Sequence, residues 1–270
     1  MERAAALRSG CLLAALACCW QPGATAQPIP VRHVEGTLHG FLSLRAQDGR
    51  VVAVGDLAQV ARGDRVTAHL VFHFRDGSVD DDTTVFSERG SFRLITDHHI
   101  QQGPTFPQPM DLTIDVPHGQ VTSRSKGKDG KDEVRSDQMS LPPDLANGLV
   151  SLVAKNLPPQ TPEVKVHLLV ATPRPRLVTL AISARGEQEF TLAGSPRKAM
   201  HFEIKIELGG VAGVVAPVLG KQPPDLHLWI VGGDAPTFLR EQGPFFQDGP
   251  IWTMELASPD WPAAPPSAGN

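Results

Sequence analysis

Residues 201–208 carry the feature that most constrains this chain, a strict alternation of side-chain character. Phe202, Ile204, Ile206 and Leu208 occupy every second position, and charged or polar side chains fill the positions between them. Successive side chains of a β-strand point to opposite faces, so a period of two predicts a strand with one buried and one solvated face.

The same kind of pattern recurs along most of the chain from residue 34 onward. Short alternating or β-branched runs are separated by Gly, Asp and Pro, and Asp48-Gly49 is a typical hairpin turn. Residues 65–75 give the clearest further case. Their predicted buried face consists of Val66, Ala68, Leu70, Phe72 and Phe74.

One segment, residues 143–157, predicts a helix. Pro143 suits a first helical turn, Pro158-Pro159 blocks continuation, and Asn147-Gly148 weakens the pattern in between. We therefore predict a mainly β protein, with a single antiparallel curved sheet or partly open β-barrel and one inserted helix. Residues 27–257 would form this domain, and the Pro- and Ala-rich tail 258–270 would be disordered.

The first 26 residues are typical of a secretory signal peptide. Arg3 and Arg8 precede a short apolar run at 11–20, and Ala24-Thr25-Ala26 forms a cleavage site. The run is too short to span a bilayer. Acylation at Cys18 is the less favoured alternative.

Composition points to the periplasm or cell envelope of a bacterium. All three cysteines lie within the signal segment, so cleavage before Gln27 leaves no thiol and no disulfide. The formal net charge is −4, and no basic block suggests a nucleic-acid partner.

The segment that follows residue 208 is apolar and rich in glycine. An exposed Val or Leu forgoes about 1.5 to 3 kcal/mol, so these side chains need a cover. They would plug one end of the barrel, gate an apolar cavity, or contact a membrane surface or an envelope protein. The side chains are Val211, Val214, Val215, Val218 and Leu219, and all but Val218 are candidate ligand contacts.

Two tryptophans, Trp229 and Trp252, stand in strand-like runs near the end of the chain. Their rings offer a large contact area and an N–H donor for a ligand pocket. The alternative is that both are ordinary core or sheet-edge residues.

Several histidine and aspartate groups raise the question of a metal site. Asp97-His98-His99 and the Asp80–Asp82 run have suitable ligand types, but neighbours on a strand face opposite ways, so we expect solvated loops there and no metal. His69 and His73 would lie about 13 Å apart on one strand, too far for one ion.

The sequence also lacks the short motifs of common enzymes. It has no G-x-S-x-G elbow, no phosphate loop and no thiol in the mature chain. We therefore assign no catalytic residue and no cofactor. A hydrolase with a triad assembled by the fold stays open as a third possibility, because triads are defined by geometry.

The order of elements resembles an uncharacterised family of exported bacterial β-proteins, a domain of unknown function. The likeness rests on the helix segment LPPDLANGLVSLVAKNL, on Leu228-Trp229-Ile230 and on a closing hairpin at residues 243–256. Those proteins look like open barrels and are distantly similar to periplasmic half-barrel carriers of lipoproteins and lipids. The resemblance implies a concave, apolar cavity and carries over no catalytic residue.

These observations favour a non-catalytic envelope protein that binds an apolar or lipid-like ligand in the sheet. A structural or assembly interaction protein of the envelope is the alternative. The candidate ligand-binding residues are the apolar and aromatic side chains of residues 202–252, namely Phe202, Ile204, Ile206, Leu208, Val211, Val214, Val215, Leu219, Leu228, Trp229 and Trp252.

Overall fold

The computed structural model describes residues 28–126, 132–171, 174–192, 195–208 and 223–257. The proposed signal segment, the tail and the five apolar loop residues Val211, Val214, Val215, Val218 and Leu219 lie outside these ranges. The described strands are β1 (Leu38–Arg45), β2 (Val51–Arg62), β3 (Arg65–Phe74), β4 (Val79–Ser87), β5 (Arg93–Gln102), β6 (Met110–Asp115), β7 (Gln120–Lys126), β8 (Asp132–Gln138), β9 (Val164–Val170), β10 (Arg176–Leu192), β11 (Ser195–Glu207), β12 (Leu226–Val231), β13 (Thr237–Pro244) and β14 (Ile251–Leu256), and the helix is α1 (Val150–Asn156).

All fourteen strands form one antiparallel sheet, which confirms the predicted fold class. Two meanders, β1 to β8 and β9 to β14, meet where β1 pairs with β14, with Leu42 opposite Leu256. The sheet stays open, because β8 and β9 are its two edges. The chain passes from one edge to the other through α1.

The alternating patterns orient the strands as predicted. Val66 and Phe72 of β3 are fully buried, as are Ile204 of β11 and Leu228 of β12. Neighbouring positions on the same strands are exposed or half-buried. We call the buried side of the sheet the inner face and the other side the outer face.

The predicted helix over 143–157 is wrong in its first half, because only residues 150–156 are helical. Gly148 has a positive φ of 66°, and a Cβ at this position would overlap the side chain of Thr84 on β4. A helix through Gly148 would lose both this backbone conformation and the close approach to the sheet.

The non-helical residues before α1 cover the edge of β9. Leu145 forms a parallel bridge with His167, and Ala146 N donates to His167 O at 2.8 Å. Asn147 Nδ2 donates to Leu169 O at 3.0 Å, and its Oδ1 accepts from Leu169 N at 2.9 Å. These bonds replace the neighbouring strand that β9 lacks.

Two further strand predictions need correction. Asp80–Asp82 and Asp97–His99, expected in solvated loops, lie within β4 and β5. β13 has no clean alternation and was not predicted. In both places polar residues on the inner face hide the period of two.

Two hydrophobic clusters fill the inner side. The larger cluster surrounds α1 and joins residues of β3 to β7 with residues of β9 to β12. The smaller, aromatic cluster joins β1 to β3 with Trp252 and with the loops that carry Phe106, Phe245 and Phe246. Polar side chains lie on the inner face between the two.

Candidate functional site

Several side chains on the inner face are half-buried rather than buried, and we call the part of the inner face that they occupy the interior gap. One row of paired residues crosses its wall, with Leu57 opposite Leu70, Leu70 opposite Asp82, and Asp82 opposite His99. All four are half-buried, whereas the neighbouring inner-face positions on the same strands, except Ala68, are buried. The gap is therefore lined by apolar and ionisable groups together.

A second wall comes from the C-terminal meander. Glu241 of β13 lies directly opposite Leu228 on one side and Met254 on the other, which places it on the inner face. Glu241 and Met254 are half-buried.

The two walls approach each other at the aromatic cluster. Gln101 Nε2 of β5 donates to Phe245 O at 2.8 Å, and the rings of Phe72 and Phe245 meet edge to face at 5.7 Å. His99 lies two residues before Gln101 on β5, and Glu241 lies four residues before Phe245. The contact between Gln101 and Phe245 therefore links the two segments that carry His99 and Glu241 on the inner face.

Five polar side chains of β4 and β5 form what we call the inner acidic cluster. His99 Nε2 donates to Asp80 Oδ1 at 3.2 Å, and Gln101 Nε2 donates to Asp80 Oδ2 at 2.6 Å. Thr84 Oγ1 donates to Asp97 Oδ1 at 3.0 Å. The cluster consists of Asp80, Asp82, Thr84, Asp97 and His99.

Burial changes the acidity of two carboxyl groups in this cluster. Burial, together with the nearby charge of Asp97, raises the pKa of Asp82 to about 8. Burial also raises the pKa of Asp97, which is hydrogen-bonded to Asp82. Since its pKa is about 8, Asp82 is mainly protonated at neutral pH.

His99 places a positive charge beside the carboxyl groups of this cluster. Burial alone would lower the pKa of His99, but the hydrogen bond to Asp80 and the charges of Asp80, Asp82 and Asp97 raise it to about 9. The imidazolium and the Asp80 carboxylate are therefore an ion pair at neutral pH. Asp82 Oδ1 is buried without a hydrogen-bond partner among the described residues.

Glu241 differs from the acidic cluster because it stands alone. Burial raises its pKa to about 7, and no described residue forms a hydrogen bond or ion pair with its carboxyl group. A carboxyl group in this state can accept a hydrogen bond when ionised and donate one when protonated.

Most of the predicted ligand-binding residues of β11 and β12 belong to the larger hydrophobic cluster. Phe202, Ile204 and Leu228 are buried, and Ile206 packs against them. Leu208 is half-buried. These side chains form the wall behind the gap, and Leu228 is the neighbour of Glu241.

The structure separates the two predicted tryptophans. Trp252 lies in the aromatic cluster, with ring centroids 5.4 Å from Phe74, 5.7 Å from Phe245 and 5.8 Å from Phe246. This position corresponds to the core alternative.

Trp229 lies on the outer face, away from the gap. Its ring stacks on His201 at 4.7 Å, and its Nε1 donates to Gln188 Oε1 at 2.8 Å. His201 Nε2 and His227 Nδ1 share a hydrogen bond of 3.1 Å. Burial and the neighbouring His227 lower the pKa of His201.

The outer face carries three similar histidine–aspartate pairs. His39 bonds Asp56 at 2.9 Å, His69 bonds Asp81 at 2.9 Å, and His98 bonds Asp111 at 3.0 Å, each through Nε2. The three pairs join β1 to β2, β3 to β4 and β5 to β6, respectively. Among the described residues, no group of three or more side chains is arranged to hold a metal ion.

Sequence reasoning missed the ionisable residues of the gap. The available signal was the pairing of β3 with β4, because alternation in β3 places Leu70 and Phe72 inward and their partners Asp82 and Asp80 must follow. For Glu241 there was no such signal. In the part of the chain that the structure describes, no helix has the length and hydropathy that a membrane span requires.

Comparisons with known proteins give one structural match. No family model and no curated protein matches the chain. A crystal structure of a beta-barrel-like protein of domain of unknown function DUF1849 from Brucella abortus superimposes with a TM-score of 0.44 and 8% sequence identity. The superposition covers 86% of this chain and 98% of that one.

Proposed function

We propose that this chain is an exported, non-catalytic protein of the bacterial envelope that binds an apolar or lipid-like ligand in the interior gap. The supporting observation is the lining of the gap. Leu57, Leu70 and Met254 are half-buried and pack against the aromatic cluster. Glu241 is paired with Met254, and its carboxyl group lacks a partner among the described residues.

The apolar part of the lining supplies the driving force. Covering half-exposed Leu and Met side chains with hydrocarbon removes apolar area from water, worth about 25 cal/mol per Å². An acyl chain or other apolar group lying between Leu57 and Met254 would bury such area on both walls. The wall formed by Phe202, Ile204 and Leu228 holds this surface in place.

Glu241 adds a requirement for a polar group on the ligand. A carboxyl group with a pKa of about 7 exchanges its proton near neutral pH, so a hydroxyl, amide or ammonium group beside it gains a hydrogen bond. The ligand that fits best is therefore amphipathic. The loop side chains Val211 to Leu219 would gate this site.

Location and carrier role belong to the same proposal. The signal-like residues 1–26 and the lack of cysteine in residues 27–270 support export to the periplasm. The resemblance to half-barrel carriers of lipoproteins and lipids supports an amphipathic cargo.

The experiment is native mass spectrometry of residues 27–270 purified from a bacterial periplasm, followed by solvent extraction and lipid analysis. We expect a reproducible bound mass. It should be lost in Leu57→Arg, which places a charge in the gap, and retained in Val54→Arg, because Val54 is 59% exposed on the outer face.

Two further variants separate the parts of the site. Glu241→Gln should retain acyl chains but change which head groups are extracted. The double variant Val214→Ser, Val215→Ser should lose the bound mass if the loop is a gate and should lose thermal stability if it is a plug. A clean apo mass for the parent chain, with no lipid in the extract, would overturn the proposal.

The alternative is an interaction protein of the envelope. It is favoured by one observation, the edge at β8, which no other described strand covers and where Val134 is 61% exposed. Such a protein would show no bound mass and would depend on this edge rather than on the gap.

A further inference from the structure

The two edge strands of the sheet, β8 and β9, differ in their hydrogen-bond partners. Residues 145–147 cover β9 with backbone and side-chain hydrogen bonds to His167 and Leu169. Among the strands that the structure describes, β8 has only β7 as a neighbour. A strand edge with unpaired N–H and C=O groups is a template for another strand.

The β8 strand is also poorly supported by packing. Residues 133–136 are exposed on both faces of the sheet. β6 pairs with β7 over residues 120–124, so β8 is the outermost of three strands at Val134 and of two strands at Glu133. An added strand would therefore cover an exposed edge.

The charges of β8 match those of a second β8 strand running in the opposite direction. If a two-fold axis passes beside Val134, Val134 lies opposite the partner's Val134 on the outer face. Glu133 then lies opposite the partner's Arg135 on the inner face, and Arg135 opposite the partner's Glu133. Neither Glu133 nor Arg135 forms an ion pair with any residue that the structure describes.

We propose that two copies of this chain associate through antiparallel pairing of their β8 strands, centred on Val134. The pairing joins two open sheets into one continuous sheet and makes two ion pairs. It also covers the exposed Val134 side chains with each other. Opposite charges directly across two strands stabilise the pair, whereas like charges destabilise it.

The charge pattern selects this register over its neighbour. Centring the pair on Arg135 would place Glu133 opposite the partner's Asp137, which is a like-charge contact on each side. The interface is one strand long, well below the buried area of a permanent dimer, so association should be weak and dependent on concentration.

Sedimentation velocity over a micromolar to millimolar series of residues 27–270 tests the proposal. We expect the mass to rise from one copy to two copies. Glu133→Arg and Arg135→Glu should each shift the midpoint at least tenfold to higher concentration, because each creates two like-charge contacts. The double variant should restore association, since it re-creates both ion pairs with exchanged signs.

Circular dichroism and thermal melts of each variant check that the monomer still folds, which exposed positions should allow. A single copy at every concentration would overturn the proposal, and so would association that none of the charge variants changes. If both single variants weakened association and the double variant did not restore it, the register centred on Val134 would be wrong.

A cross-link provides an independent measurement. Residues 27–270 contain no cysteine, so Val134→Cys introduces one thiol per copy next to the two-fold axis. Oxidation should yield a covalent dimer for Val134→Cys and little for Val54→Cys, an exposed control. Equal cross-linking of both variants would contradict the proposal. The ligand experiment uses the gap and leaves β8 intact, so the failures of the two proposals are distinguishable.

Discussion

The inner and outer faces of β4 and β5 carry the same residue types with different consequences. Asp80 and Asp82 face inward and Asp81 faces outward, whereas His99 faces inward and His98 outward. Both histidines bond an aspartate at about the same distance, 3.2 Å inside and 3.0 Å outside. On the inner face, the pKa of Asp82 is raised to about 8 and that of His99 to about 9.

The comparison shows that burial, rather than residue type, decides what a histidine–aspartate contact contributes. Outside, the side chain of His98 is 47% exposed and water solvates both partners. Inside, Asp80 is 7% exposed, so removing His99 would leave a carboxylate that water reaches poorly. The predictions below test this difference.

The largest expected effect is the loss of the inner cation. His99→Ala should lower the free energy of unfolding by about 3 kcal/mol, because it leaves Asp80 buried without its ion partner. His98→Ala on the same strand should cost no more than about 1 kcal/mol. Urea denaturation at pH 7 measures both, and equal losses would show that burial does not separate the two faces.

An intermediate effect concerns Asp82 and pH. Between its unfolded value of 3.8 and its folded value of about 8, Asp82 is protonated when folded and ionised when unfolded. The folded state therefore binds more protons, and stability falls as pH rises through this window. Asp82→Asn removes that dependence while preserving a hydrogen-bond donor to Asp97.

Asp82→Asn should accordingly raise stability at pH 8 by at least about 1.4 kcal/mol relative to its effect at pH 4, the equivalent of one pKa unit. Thermal melts at both pH values provide the measurement. Asp81→Asn, which faces outward, is the matched control and should show a much smaller pH-dependent change. If Asp82→Asn changed stability by the same amount at both pH values, the conclusion that folded Asp82 is protonated would be wrong.

The smallest expected effects come from the outer pairs. Removing His39, His69 or His98 singly should cost about 0.2 to 1 kcal/mol each, and the three losses should add because the pairs share no residue. High salt should reduce these losses further. Denaturation of the triple His→Ala variant checks additivity, and a loss far above the sum would reveal coupling across the outer face.

The sequence predicted those parts of the fold where alternation is clean. Alternation separates an apolar from a polar face in residues 65–75 and 201–208, and in the structure the apolar face of β3 and of β11 is the more buried one. Each of these strands has one apolar and one polar face, so its period of two can be recognised in the amino-acid sequence. The antiparallel open sheet followed from the short spacing of such runs.

The candidate site was not predictable in the same way. Asp82, Asp97 and Glu241 have residue types that normally lie on surfaces, and only the register with neighbouring strands shows that they face inward. The length of α1 was also missed, since the close approach of Gly148 to Thr84 involves a strand more than sixty residues earlier in the chain. Both features are set by tertiary packing.

The seam between β1 and β14 has a consequence for how the chain folds. Hairpins between consecutive strands close short loops, whereas Leu42 meets Leu256 only after nearly the whole domain has been made. Closing so long a loop is entropically costly, and high contact order slows folding. We therefore expect two meanders that collapse early and a late, rate-limiting docking step. That delay would be compatible with the export proposed above, because an exported polypeptide stays unfolded until it has crossed the membrane.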